Sequence, residues 1–363
     1  VMASFLSPCD EVKQTENTDE ELRRAFADVF PPSNDHLQQL SDRSTDDFLN
    51  GTLEEINANL EPHLSHATYQ QLCTAIVRRR VALIFSSGKT KHCVVITAPH
   101  TIKLCRDNHP PHATELFTRR IAERFSEEVG GCCITWSEGE QRRVSSIVKS
   151  GQHPPPPSNR DPNYLTNEEL DSSVWFHYLK AAKHSLLLAT NHCRRLSLHL
   201  DVHGMRDSSI DGFDVVFGTE AMLKNGKDVD LVMAFRKLLL EKITPVLASM
   251  SAKSNTNSGS GSTVSSRNKT KTKTKEKVTA TTTDEHVFAA SVDHERLNGW
   301  AGKTRNTLTQ MSTNKQLFQN QEFGLSLQIE LSHRIRKVME DNRWNHCARF
   351  VRAIEEAANL THL

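Results

Sequence analysis

Apolar and polar positions alternate with two different periods along the chain, and the change falls near residue 80. Between residues 10 and 80 apolar side chains recur at helical spacing, as at Leu22, Phe26 and Val29 and again at Leu53, Ile56 and Leu60. This predicts an accessory helical extension over residues 1–80. Beyond it the runs shorten. Val81 to Phe85 and Cys93 to Thr97 are brief and rich in β-branched residues, separated by a turn-like S-S-G-K-T-K-H, which predicts two strands of a hairpin or of one sheet. Thr114 to Glu128 carries Phe117, Ile121 and Phe125 on one stripe, the mark of an amphipathic helix, and Cys132 to Trp136 follows as another strand.

The second half repeats the theme. Pro154 to Pro157 must be an extended loop, because four successive rings remove the amide donors that helix or sheet would use. Helical spacing returns over Trp175 to Leu188. Leu196 to Val202 alternates strictly and stops at Gly204, which predicts a buried strand delivering His203 at its C-terminal end. Val215 to Phe217 reads as a strand, Asp230 to Leu247 as a helix ending near Pro245, Gly324 to Leu331 as a strand and Asn345 to Asn359 as a terminal helix. From about 251 to 283 the composition falls to Ser, Thr, Lys, Asn and Gly, with basic residues from Lys253 to Lys277 against Glu276 alone, which predicts a disordered, solvated insert. The alternation of strands and helices over residues 81–363 predicts an α/β domain, a mixed central sheet flanked by helices.

Composition narrows the class without changing that picture. With 37% hydrophobic and 25% charged residues and a net charge of +1, the chain is neither disordered overall nor built to coat nucleic acid. There is no apolar run of membrane-spanning length and no basic-then-apolar leader at Val1 to Asp10, so a cytoplasmic protein with no membrane partner is expected. The eight cysteines form no C-x-x-C pair, which fits reduced thiols, and the adjacent Cys132 and Cys133 should point to opposite faces of a strand as packing residues. Gly88-Lys89-Thr90 and Gly302-Lys303-Thr304 look like ends of phosphate loops, but Leu83 and Leu297 stand where the leading glycine belongs. His109 and His199 have no partner that the sequence identifies.

Three segments place metal-competent side chains at or just after strand ends, where open α/β sheets bind ligands: A-P-H at 98–100, D-V-H-G at 201–204 and Q-I-E-L at 328–331. A catalytic zinc needs about three ligands from His and Asp/Glu, an open position for water, and a carboxylate to take the water's proton. His100 follows a strand and Pro99; Asp201 lies two residues before His203, on the same side of its strand, and could orient a ligand there. Alternation sets Leu327, Ile329 and Leu331 against Gln328 and Glu330.

These residues resemble the N-formylglutamate amidohydrolases, relatives of zinc carboxypeptidases and aspartoacylase-like deacylases. The resemblance rests on P-H at 99–100, N-R-D-P-N at 159–163, D-x-H-G at 201–204 and L-Q-I-E-L at 327–331, in that order. It implies a phosphorylase/hydrolase-like fold and one Zn2+ per chain held by two histidines and a glutamate, with a late-strand glutamate as general base. The second ligand departs from the pattern. Carboxypeptidase-like members place it three residues after the first histidine, where this chain has Lys103; another branch places it five residues on, where Cys105 stands. Glu115 to Thr118 reproduces that branch's E-x-x-T step before a helix, so Glu115 is the expected ligand, reached by a loop insertion. Asp107, Cys105 and His112 remain open, the last because H-x-x-E at 112–115 could supply two ligands with His100 behind them.

The resemblance thus implies His100, Glu115 and His203 on the metal, Glu330 as base, Arg160 for the oxyanion or a substrate carboxylate, and Asn163 assisting it. The substrate would be a small N-acyl amino acid. A carboxypeptidase or deglutamylase acting on a peptide C-terminus is the alternative, as is a binding protein of this fold that has lost turnover. No nucleic-acid partner is expected.

Overall fold

A computed structural model of the chain describes residues 80–86, 92–106, 109–149, 160–166, 170, 173–189, 197–207, 212–254, 287–293, 307–319, 322–341 and 345–361. The helical extension expected up to residue 80, the proline run, both phosphate-loop fragments, Asp107 and most of the insert lie outside these residues, apart from Arg80.

The strands are β1 (Val81–Phe85), β2 (Cys93–Ala98), β3 (Cys132–Trp136), β4 (Ser197–Met205), β5 (Val215–Gly218), β6 (Ala290–Val292) and β7 (Leu325–Ser332). They form one seven-stranded sheet in the order β1-β3-β2-β4-β7-β5-β6. The central strands β3, β2, β4 and β7 are parallel; β1 and β5 pair antiparallel with β3 and β7, and β6 runs parallel to β5. The helices are α1 (Thr118–Val129), α2 (Glu138–Lys149), α3 (Val174–Ala189), α4 (Glu220–Lys224), α5 (Val229–Ser254), α6 (Leu308–Ser312), α7 (His333–Asp341) and α8 (Asn345–Thr361). The fold is α/β, a mixed sheet flanked by helices. None of the described helices is long and apolar enough to cross a membrane.

The expected β1–β2 hairpin does not form; the two share a sheet, but β1 pairs with β3, from Val81 opposite Trp136 to Phe85 opposite Cys132. The reason lies in β2, which is buried along its whole length and so needs a neighbour on both edges. The crossover through α1 supplies β3 on one side, and β4 fills the other.

Period-two alternation divides the sheet into two unlike faces. Val94, Ile96 and Ala98 of β2, Leu198, Leu200 and Val202 of β4, and Leu325, Leu327, Ile329 and Leu331 of β7 form one apolar face. Against it pack Ile121 and Phe125 of α1, Phe235, Leu239 and Ile243 of α5, and Phe350 and Ile354 of α8. Each large side chain buried there contributes about 1.5–3 kcal/mol. The opposite face joins a second core, with Val95, Ile134 and Trp136 against Trp175, Phe176 and Leu179 of α3. Cys133 belongs to the first core and Cys132 to the second, so the cysteine pair packs on opposite faces. Cys93, Cys132, Cys133 and Cys347 are buried outside disulfides, and burial pushes the thiols of Cys93 and Cys347 up to about 12.

The helix expected to end near Pro245 instead continues to Ser254. Pro245 is exposed, so the carbonyl deprived of its amide partner can be met by water, while Ile243, Val246, Leu247 and Met250 are buried and hold the helix on both sides of the ring. Ser251, where the insert was expected to begin, is buried in this helix and its hydroxyl accepts from the Phe288 amide at 2.9 Å. Pro245→Ala should raise the unfolding free energy in urea by about 1 kcal/mol or more, since it restores an amide donor on an exposed helix face. A decrease would show that the ring itself is needed.

Candidate metal centre

The chain leaves β2 on one side, toward β3, and returns to the other side at β4, so the sheet's topological switch lies at the C-terminal ends of β2 and β4. The indole of Trp136 donates to the Pro99 carbonyl at 2.7 Å and fixes the turn Pro99–Thr101, which leaves His100 buried at the strand end. An excursion follows. Leu104 and His112 exchange backbone hydrogen bonds of 3.2 and 2.9 Å, and the Glu115 amide donates to the His100 carbonyl at 2.8 Å. The bridge and this bond return Glu115 to His100, with Oε1 3.1 Å from Nδ1.

Helix α1 begins at Thr118, four residues later than the amphipathic stripe suggested. Phe117 takes a left-handed φ of 72°, which turns the backbone sharply between the carboxylate and the helix, and the Thr118 hydroxyl donates to the Glu115 carbonyl at 2.8 Å. Such a φ is uncommon for a bulky residue and must be held by its surroundings.

His203, near the end of β4, completes the cluster. Its Nδ1 lies 2.9 Å from Nδ1 of His100 and 3.8 Å from Oε2 of Glu115, which also accepts from the Gly204 amide at 2.7 Å. His100, Glu115 and His203 are all buried and offer ligand atoms within 4.8 Å of one another. Each imidazole is gripped from behind by a carboxylate: Nε2 of His100 lies 3.0 Å from Asp161, and Nε2 of His203 lies 2.8 Å from Asp201. That grip keeps the proton on Nε2 and leaves Nδ1 to ligate. Asp201 is itself set by the Thr97 hydroxyl at 2.6 Å, and Asp161 by Nε of Arg106 at 2.6 Å.

The electrostatics favour a cation at this point. Burial opposes charge on His100, yet Asp161 and Glu115 overcome it and hold the imidazole well above its usual pKa. Burial likewise opposes charge on His203, and Asp201 raises it to about 9. Glu115 is driven below the usual carboxylate range because the two histidines outweigh its burial. Glu330 behaves oppositely: burial dominates and raises its pKa, with Glu115 adding to the effect and His203 countering it. Two nitrogens and a carboxylate oxygen, backed by Asp161 and Asp201, form a donor set suited to a divalent metal.

The other expected residues divide. Glu330 is buried directly opposite His203 in the parallel β4–β7 register, and Gln328 donates to its Oε1 at 2.9 Å. Asn163 is brought to the same place but turned toward protein: its Oδ1 accepts from the Leu308 amide at 2.7 Å, and its Nδ2 lies 3.3 Å from Asp201 and 3.2 Å from Nε2 of His203. Asn163 thus donates to Asp201 beside the His203 ring. Arg160 is half-buried and sits where the 160–163 segment bridges to Cys105. Cys105 serves through its backbone, its carbonyl accepting from the Asp161 amide at 2.9 Å.

His112 stacks on His100 with ring centroids 3.8 Å apart and Nε2 3.3 Å from Glu115, so it lies against the cluster while His100 occupies the centre. His199 has partners after all: Nε2 meets Thr97 at 2.9 Å, and Nδ1 meets Ser312 and Ser326 at 2.9 and 3.0 Å. His109 lies edge-on to Tyr164 at 5.7 Å. Asp161 is the residue the sequence reading passed over, although the N-R-D-P-N run was in view; an acid held extended before a proline was the available signal.

No family model and no curated protein matches the chain. Among the solved structures that resemble it distantly are a phage enzyme and a bacterial one. A bacteriophage poly-gamma-glutamate hydrolase shares 13% identity over 77% of this chain and 87% of its own, with a TM-score of 0.34. The N-formylglutamate amidohydrolase from Ralstonia eutropha JMP134 shares 12% over 78% of this chain and 98% of its own, with a TM-score of 0.32.

Because the metal-free His203 keeps its proton up to about 9, protons compete with metal below that pH. The affinity of metal-free protein for Zn2+ should therefore climb from neutral pH toward about 9, by up to about tenfold per pH unit for each proton displaced. Chelator competition across that range measures it. A flat profile would mean that neither imidazole surrenders a proton to the metal.

Proposed function

We propose that this chain is a zinc-dependent amidohydrolase acting on the amide bond of an N-acyl amino acid or a similar carboxylate-bearing substrate. The observation that carries this reading is the convergence of His100, Glu115 and His203 on one point, with the carboxyl of Glu330 opposite His203 in register. In this reading the three residues would hold one Zn2+, which would supply Lewis acidity and make water a nucleophile near neutral pH.

The chain's own residues do the rest. Asp161 and Asp201 keep both imidazoles oriented with Nδ1 inward. Glu330, fixed by Gln328 and raised in pKa by its burial, takes the proton from the attacking water and returns it to the departing amine nitrogen. A raised carboxyl pKa suits both transfers, since the group must accept and release one proton near neutral pH. Arg160 is proposed to meet the developing oxyanion or the substrate carboxylate, where a guanidinium engages two oxygens at once.

Two substitutions separate ligand from base. Glu330→Gln should keep about one zinc per chain while hydrolysis falls roughly 100-fold or more, the scale expected on losing a general base. Glu115→Gln should lose zinc. The assay is metal analysis beside single-turnover hydrolysis of a panel of N-acyl amino acids and Glu-ended peptides. Zinc loss in Glu330→Gln with zinc and activity intact in Glu115→Gln would exchange the two roles, and normal hydrolysis by both would end the reading.

A further inference from the structure

The three segments that bring Glu115, His203 and Glu330 together come from distant parts of the chain, and one buried side chain touches all of them. Arg336 lies on α7, one turn past the end of β7, and is only 5% exposed. Its Nη1 donates to the Leu116 carbonyl, one residue past Glu115. Its Nη2 donates to the Met205 carbonyl at 3.2 Å, two residues past His203. Its Nε donates to the Leu331 carbonyl at 3.1 Å, one residue past Glu330, with the Ser332 carbonyl at 3.4 Å. We infer that Arg336 is a positioning residue for the metal centre: its guanidinium fastens the Glu115, His203 and Glu330 segments to one another through their backbones.

A planar guanidinium spreads five donors over three nitrogens and so reaches carbonyls that lie apart from one another, whereas the three donors of an ammonium all leave a single nitrogen. The position also explains a glycine. A Cβ on Gly204 would lie 2.5 Å from the guanidinium carbon and 2.6 Å from Nη1, so the D-x-H-G step must end in glycine to let the guanidinium lie over the strand. The same Gly204 presents its amide to Glu115. The Leu116 carbonyl sits immediately before Phe117, whose left-handed backbone is uncommon for a bulky residue and must be held by its surroundings, so the clamp acts where it is needed.

This inference rests on the metal-site reading above, and Co2+ serves as the probe because its visible spectrum reports ligand geometry as well as occupancy. Arg336→Ala is expected to bind Co2+ about 10- to 100-fold more weakly, the range for losing a group that orients metal ligands. Its spectrum should differ from wild type, and millimolar guanidinium ion should restore both. Arg336→Lys should not restore them. In the Gly204→Ala, Arg336→Ala double variant the new methyl occupies the guanidinium's place, and added guanidinium should have no effect. Phe350→Leu, in the apolar core away from the guanidinium's hydrogen bonds, should lower the melting temperature without moving the cobalt spectrum, which separates positioning from stability. Should Arg336→Ala fail to fold by circular dichroism, Gly204→Ala decides alone, since it displaces the guanidinium without removing a ligand. Wild-type affinity and spectrum in Arg336→Ala, or in a folded Gly204→Ala, overturn the clamp while leaving the metal centre standing. No cobalt binding by the wild type overturns both.

Discussion

The parallel pairing of β4 with β7 is the constraint on which the site depends. In both strands every second residue is apolar, and the register sets Leu198, Leu200 and Val202 beside Leu325, Leu327 and Ile329. Once that face is buried under α1, α5 and α8, the alternate residues have no freedom: His199, Asp201 and His203 must lie beside Ser326, Gln328 and Glu330 on the other side. A slip of one residue would bury the polar set in the apolar core. The hydrophobic face therefore specifies the position of the chemistry, although none of its residues takes part in it.

A polar stripe inside a sheet is expensive unless each group finds a partner. Here the partners form a continuous series. Ser312 and Ser326 meet His199, His199 meets Thr97, Thr97 donates to Asp201, and Asp201 holds His203. Because the Thr97 hydroxyl gives its proton to Asp201, it must accept from Nε2 of His199, and Nδ1 of that ring then accepts from a serine. Burial lowers the His199 pKa to about 4, in keeping with a neutral ring. The tautomer of His203 is thus supported by side chains reaching well behind it.

Much of this architecture was legible in the sequence, where the strict alternation of L-S-L-H-L-D-V-H and L-S-L-Q-I-E-L announces two half-polar strands with their chemistry on one side. Other features lacked a local signal. The partner of β1 depends on which edge α1 leaves open, a tertiary matter that strand propensity cannot express. Glu115 could be matched by its E-x-x-T step, but the Leu104–His112 bridge that returns it to His100 joins residues of no distinctive pattern. Arg336 sits in H-R-I-R-K, which reads as the solvated face of a helix and gives no hint of a buried cation. Pro245 reads as a stop and fails to act as one because its exposed face leaves the freed carbonyl to water.

The buried thiols have a different consequence. Cys133 lies in one core and Cys93 and Cys132 in the other, while Cys347 is buried in α8; all are closed to solvent, and burial disfavours their reactive thiolate forms. An alkylating reagent can reach them only when the layer above them opens, so their rate of modification is a clock for that opening. Because the cysteines flank the sheet on both faces, peptide mapping of the alkylated protein would tell which layer parts first, with no cysteine introduced by mutation.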